Sequence, residues 1–333
     1  MEANKEVIRK EKNLYIDGYN IFYKNFQTHT AKDSNAEPIG GFIGSINYIQ
    51  KVVNKFSPTK VYIVFDGINA GQRRRNLLPT YKDKRGKRSR TTAVQFSEDH
   101  KVYVNNEQTQ ISMLFDVLKK LPLTIITIPY YEADDIIGYM VSKSANDSNT
   151  TSIIVSSDKD YLQLVNDTTF VFSPAKEILY NREKVKEKFG VPVENVTFLR
   201  AVEGDGSDNL KGVKGLKSTS LFELVPQIQE TPFKDLTEFI LEVEKLEGKS
   251  KKLNTLKESR QDLILMYKLM TLEISSISTA AYNFLNQQLE DQKSKQVSKI
   301  GFKLYAGKTK LLNYIKDYEL WVRPFLFLNK HNN

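Results

Sequence analysis

The sequence contains no cysteine and a single tryptophan. Without thiols there are no disulfides, no thiolate metal sites and no cysteine nucleophile. Histidine is scarce and scattered, at His29, His100 and His331, and no Ser/His/Asp pattern appears. No run reaches the roughly 18–20 apolar residues of a membrane-spanning helix. The opening stretch "MEANKEVIRKEKN" is charged and lacks the apolar core of a secretory signal. These absences lead us to expect a cytoplasmic chain with no membrane partner.

The 333 residues are 40% hydrophobic, ample for a core and long enough for two domains or one large one. The formal charge is +9, which favours a polyanionic partner. Its distribution says more than the total. Arg73, Arg74, Arg75, Lys82, Lys84, Arg85, Lys87, Arg88 and Arg90 stand against Asp83 alone within eighteen positions.

Four short apolar runs rich in Ile, Val and Thr read as strands, at 13–17, 60–66, 123–128 and 151–158. Helical patterns fit between them near 41–56, 108–120 and 133–145. Strands apolar on both faces, alternating with helices, imply a parallel sheet covered on both sides. Ligands of such sheets bind beyond the carboxyl ends of the strands. Residues 73–107 break the alternation as a long polar, basic excursion, which makes a lid or arch the functional expectation. From about 190 the texture becomes helical, with patterns at 218–229, 234–247 and 256–270. We place the boundaries at 1–190, 191–270 and a C-terminal extension, 271–333.

Acids gather where the strands end: Asp17 in "YIDGYN", Asp66 in "VFDG", Glu132, Asp134 and Asp135 in "EADD", and Asp158 and Asp160 in "SSDKD". Asp205 and Asp208 follow in "GDGSDN". Singly, each reads as a helix cap or turn residue. Together they would meet at one sheet edge, where unneutralised carboxylates repel and their pKa values rise. Divalent cations remove that penalty. An all-oxygen donor set favours Mg²⁺, with Mn²⁺ as a substitute, over zinc. Two such ions about 3.5–4 Å apart can activate water against a phosphodiester. Asp135 has the alternative of capping its own helix.

In "GDGSDNLKGVKGLKSTS", Gly212 and Gly215 flank Val213 in the manner of a helix–hairpin–helix turn, whose exposed amides grip a phosphate. Lys211, Lys214 and Lys217 add charge for sequence-independent duplex binding. The basic excursion also carries Tyr81, Phe96 and Tyr103, on which bases of a single strand can stack. Lys82 and Arg85 would offset charge near the scissile phosphate.

Taken in order, "YIDGYN", "VFDG", "RRRNLLPTYKDKR", "YYEADDIIGYMV", "SSDKDYLQLV" and "LRAVEGDGSDNLKGVKG" resemble the 5′ nuclease family: flap endonucleases, phage 5′→3′ exonucleases and the 5′-nuclease domain of bacterial DNA polymerases. The resemblance implies an α/β fold, with a PIN-like parallel-sheet core, a basic helical arch and a helix–hairpin–helix module. It implies metal ligation by the nine acids named above, and places the family's arch-base tyrosine, lysine and arginine at Tyr81, Lys82 and Arg85. The implied substrate is DNA with a 5′ end or flap, or RNA in an RNA–DNA hybrid, in replication primer or flap removal. Length and order resemble a free-standing phage-type nuclease, acting as a monomer in the host cytoplasm. Two departures stand out: Lys217 where the family commonly has glycine, and Thr219 where it commonly has a basic residue. The tail "LWVRPFLF" would offer replication proteins a contact. The alternatives are a non-catalytic nucleic-acid binder of the same fold and a ribonuclease for structured RNA.

Overall fold

The structure is a computed structural model that describes residues 11–83, 99–145, 147–272, 277–293 and 298–328, and of residues 99–105, 292 and 293 the backbone only. Lys84, Arg85, Lys87, Arg88 and Phe96, and the ring of Tyr103, lie outside the described residues.

The sheet is built from β1 (Glu11–Asp17), β2 (Lys60–Asp66), β3 (Thr124–Ile128), β4 (Thr150–Val155), β5 (Thr169–Ser173) and β6 (Ile178–Tyr180), in the spatial order β3-β2-β1-β4-β5-β6. The first five strands run parallel and β6 is antiparallel to β5. The chain moves outward from β1 to β3, then returns to the other side of β1 at β4. That reversal leaves a crevice beyond the carboxyl ends of β1 and β4. Asp17 ends β1 and Asp158 follows β4, so both flank it.

Successive strand residues point to opposite faces, and the core divides accordingly. Leu14, Ile16, Ile63 and Phe65 belong to one apolar cluster with α1 (Gly18–Thr28), α2 (Gly40–Phe56), α4 (Asp99–Leu118), α13 (Lys299–Lys308) and α14 (Tyr318–Leu328). Tyr15, Val64 and Ile154 belong to the other. That second cluster includes α5 (Ala133–Ser144), α7 (Val196–Glu203), α8 (Ser218–Leu224), α11 (Arg260–Met270) and α12 (Thr279–Lys293). Between β2 and α4 the chain forms the short helix α3 (Gln72–Leu77), which packs on α11. The polar excursion thus leaves one face of the sheet at Asp83 and returns at Asp99 toward the other, where α4 packs on α2.

Among the described residues the apolar clusters run across positions 190 and 270. Helices α7 and α11 share a cluster with β1 and β2, and the extension covers both faces, α12 against β3 and α14 against α2. Part of the tail read as a contact for replication proteins folds back on the chain. Trp321, Val322 and Phe325 are buried, and the Trp321 indole N–H donates to Asn47 Oδ1 at 2.8 Å. Among the described residues no helix is long and apolar enough to cross a membrane.

Candidate active site

Asp17 begins the site as the N-cap of α1. Its Oδ1 accepts the Asn20 amide at 3.0 Å, while Oδ2 accepts the hydroxyls of Ser156 (3.2 Å) and Tyr161 (3.3 Å). Asp158 caps the 3₁₀ turn at Lys159–Leu164 through the Asp160 amide at 2.9 Å. Asp66 accepts the Ala133 amide across the sheet edge at 2.8 Å. The capping and cation-binding readings are therefore compatible, because a cap occupies one oxygen lone pair and leaves the rest of the carboxylate.

These acids converge. A cleft of about 570 Å³ is lined by Asp17, Asp66, Glu132, Asp134, Asp158 and Asp208, with Lys82 among them. Carboxylate oxygens of Glu132, Asp134 and Asp135 lie within 4.8 Å of one another. Burial, with Asp66 and Asp158 adding repulsion, pushes the Asp17 carboxyl up to about 7. Burial also raises Asp134 well above the usual carboxylate range, with Asp135 and Glu132 adding to it against the pull of Arg74.

Two buried arginines organise the remaining acids. Of the three arginines read as phosphate contacts, Arg74 corrects the expectation: it is 2% exposed. Its guanidinium pairs with Glu132, reaches Asp135 at 3.0 Å and Asp134 at 3.4 Å, and donates through Nε to the Leu269 carbonyl at 2.9 Å. A six-residue helix lying on the protein turns one of three consecutive side chains inward, and here that side chain meets the acids. Arg73 is half-buried and pairs with Asp135 at 2.6 Å, and Arg75 donates to the Ala70 carbonyl at 2.7 Å. Asp135 is 1% exposed and also accepts the Glu132 amide at 3.4 Å, so it faces the arginines and does not line the cleft.

Arg200, from α7, does the same for Asp160 and Asp205, pairing with the first and lying 2.8 Å from the second. Asp160 is still raised to about 6, by burial and then by Asp158. Asp205 is held low: burial would raise it, but hydrogen bonds from Ser207 and Arg200 prevail, with Lys159 at 3.3 Å. The sequence reading passed over Arg200. Its signal was a lone cation in the apolar run "FLRAV", five positions before an acid.

Lys82 lines the cleft, pairs with Glu132 and lies 4.0 Å from Asp208. Burial works against its charge, but Glu132 and Asp134 outweigh burial and keep the ammonium protonated. The Tyr81 ring is buried, with its hydroxyl 3.2 Å from Glu132 and 3.4 Å from Asp208. It braces the cleft wall and is not an open stacking surface. The cleft lining also includes Tyr19 and Tyr23 of α1, which the sequence reading missed.

Away from the cleft, Gly212 and Gly215 adopt the left-handed φ values of 62° and 75°. At Gly212 an added Cβ would lie 2.4 Å from the Gly204 nitrogen, so the turn requires glycine there. Val213 is buried, and Lys211, Lys214 and Lys217 are exposed around the turn between α7 and α8. Lys217 keeps extended backbone as the residue preceding α8, and its ammonium reaches the Glu203 carbonyl at 3.3 Å.

Comparison with known proteins gives this arrangement a lineage. Residues 12–190 match the model of the 5'-3' exonuclease N-terminal resolvase-like domain. A 5'-3' exonuclease of Buchnera aphidicola subsp. Schizaphis graminum is 31% identical over 243 residues, covering 68% of this chain and 78% of the relative. The Aquifex aeolicus 5'-3' exonuclease is 26% identical over 302 residues, covering 86% and 94%. The bacteriophage T5 D15 flap endonuclease, solved in a pseudo-enzyme–product complex with DNA and metal ions, shares the fold. Its TM-score is 0.69 at 21% identity, covering 85% of this chain and all of that one. The doubly wound sheet, the acids at its reversal point and the family match over more than half of the sequence agree: the chain belongs to the 5'-3' exonuclease family.

Proposed function

We propose that this chain hydrolyses phosphodiester bonds near 5′ ends and flaps of DNA, and of RNA paired with DNA, using two Mg²⁺ ions. The observation that carries this reading is the convergence of six carboxylates on one cleft in a chain of net charge +9. The donor set suits a hard divalent cation, being all oxygen. The raised carboxyls of Asp17 and Asp134 mark the charge that such a cation would offset.

Asp17, Asp66, Glu132, Asp134, Asp158 and Asp208 are the ligands we propose, with Mn²⁺ able to replace Mg²⁺. Asp160 and Asp205 support them from the Arg200 pair, and Asp135 through Arg74. The ions, when bound, supply charge neutralisation at the phosphate and acidify the attacking water. Lys82, a fixed cation on the cleft wall, stabilises negative charge growing on the phosphate oxygens. It is not a base, since its neighbours keep it protonated. Arg85, outside the described residues, is proposed for a similar role, and Tyr81 positions Glu132 and Asp208. Water adds to phosphorus as the bond to the 3′ oxygen breaks, leaving a 5′-phosphate on the downstream product.

The glycine turn at 204–217, within the helical module at 191–270, holds the duplex by its backbone. Lys211, Lys214 and Lys217 face phosphates with Gly212, Val213 and Gly215 shaping the turn. Arg73, Arg75, Lys84, Lys87 and Arg88 belong to the basic excursion that admits the 5′ strand. The role fits primer or flap removal in replication, by a monomer in the cytoplasm. A replication protein meeting α14 would find Leu320 and Phe327, which stay exposed.

The test is a 5′-flap DNA labelled at both ends of the flap strand. Flap release with Mg²⁺ and none with EDTA supports the reading. Binding without cleavage in Mg²⁺ or Mn²⁺ overturns it in favour of a non-catalytic binder.

A further inference from the structure

Beyond the cleft, the loops that follow β2 and β3 carry two side chains that folding does not explain. Ile68 is 77% exposed and Tyr130 57% exposed. Tyr130 also sits at φ 70°, a left-handed conformation that a residue with a Cβ rarely adopts. Isolated exposed apolar residues are ordinary on protein surfaces. A bulky aromatic that is both strained and mostly unburied is not, and such outliers gather at functional positions.

The two loops are joined. The Tyr130 amide donates to the Ile68 carbonyl at 2.8 Å, and the Gly67 amide to the Tyr131 carbonyl at 3.1 Å. At Gly67 an added Cβ would lie 1.8 Å from the Ile128 carbonyl oxygen, so the loops approach as closely as backbones can. Arg75 bonds the Ala70 carbonyl at 2.7 Å and brings a guanidinium to the same loop. Ile68 lies two residues after Asp66, and Tyr130 two before Glu132.

Topology gives this lip a direction. The acids sit beyond the ends of β1, β2, β3 and β4, and β3 is the edge strand. The basic excursion departs on the face of α3 and returns toward the face of α4, on opposite sides of the sheet. A single strand lying over the acids and between those two points runs along the sheet's width. On the side away from β4 such a strand would leave across β3, over Ile68 and Tyr130.

We propose that Tyr130, with Ile68 beside it, is a stacking platform for an unpaired base of the 5′ strand that has passed the acids. This rests on the nuclease reading and adds a specificity determinant to it. Aromatic rings accept any base face, and the adjoining guanidinium suits the backbone, so the platform is indifferent to sequence.

The experiment compares wild type, Tyr130→Gly and Tyr130→Phe on DNA with a short 5′ flap and on the same duplex without a flap. First, 5-iodouracil is placed at successive flap positions and irradiated in EDTA. Crosslinking to Tyr130 at one or two positions is expected. Second, with Mg²⁺, Tyr130→Gly should raise KM for flapped DNA relative to flapless DNA by about tenfold, and Tyr130→Phe should restore it. Third, Tyr130→Gly should hold or raise Tm, because glycine accepts the left-handed backbone. Equal KM changes on both DNAs, a fall in Tm, or crosslinks that avoid the lip overturn the platform. Absence of cleavage by wild type on both DNAs contradicts the nuclease reading separately, and the crosslink needs no turnover.

Discussion

The two ends of the cleft handle their negative charge differently. At one end, Glu132 and, buried outside the cleft lining, Asp135 meet Arg74, Arg73 and Lys82. Burial works to raise Glu132, yet Arg74 and Lys82 hold it below the usual range. At the other end, Asp17 accepts from two hydroxyls and an amide, and its carboxyl rises to about 7. A carboxylate paired with guanidinium is already offset within the folded chain, and Glu132 keeps that pairing while lining the cleft. Carboxylates held by neutral donors at a sheet edge keep a charge that a bound cation would offset. The difference separates acids offset by the protein's own cations from acids held only by neutral donors.

Four tests break or sharpen that contrast. The largest effect is expected from Asp134→Asn, which lines the cleft. Mg²⁺-dependent cleavage should fall by about 10³-fold or more while flap-DNA affinity, measured by fluorescence anisotropy, is kept. Next, Arg74→Met leaves buried acids without their cation and should cost about 3–5 kcal/mol of stability, read by urea unfolding. Arg200→Met, which strips Asp160 and Asp205, should behave alike and less severely, since its acids are more exposed. If either matches wild-type stability, the clamps are not structural.

The third contrast is in pH. The folded Asp17 carboxyl titrates at about 7, against an ordinary value of 3.8. Between those values the folded chain holds a proton that the unfolded chain has released, so metal-free stability falls as pH rises through that window. In EDTA, Tm should drop more between pH 5 and 7.5 for wild type than for Asp17→Asn, and Mg²⁺ should flatten the wild-type profile. An identical profile in the variant would remove Asp17 as the source. The smallest effect lies outside the cleft. Lys211→Ala and Lys214→Ala should each weaken duplex binding uniformly across sequences and lower the salt slope by about one. Unchanged slopes in a salt titration would take the glycine turn out of duplex binding.

Much of the plan was legible because apolar strands that end in acids are a local pattern. "NLYID" and "KVYIVFD" announce both the strand and its functional end within seven residues. The acids' convergence followed from parallel-sheet topology alone. What escaped reading depends on tertiary context. Arg73, Arg74 and Arg75 are chemically equivalent in sequence, and only the seating of α3 on α11 decides that Arg74 goes inside. Helix α1 mixes aromatic and polar residues over "GYNIFYKNFQT" and buries only Gly18, Ile21 and Phe22, an apolar stripe too short to declare itself. The three-residue β6 is held by its pairing with β5, not by its own propensity. The tail's Trp321 and Phe325 read as a docking motif because the α2 surface they cover is some 270 residues away in sequence.

The contrast between clamped and open carboxylates is tested most directly by counting ions. A Mn²⁺ titration followed by electron paramagnetic resonance should show two bound ions per wild-type chain. Asp17→Asn and Asp134→Asn should each lose at least one, while Arg75→Ala keeps both. No ion bound to wild type, or a count unmoved by either acid substitution, would contradict the cleft as the metal site.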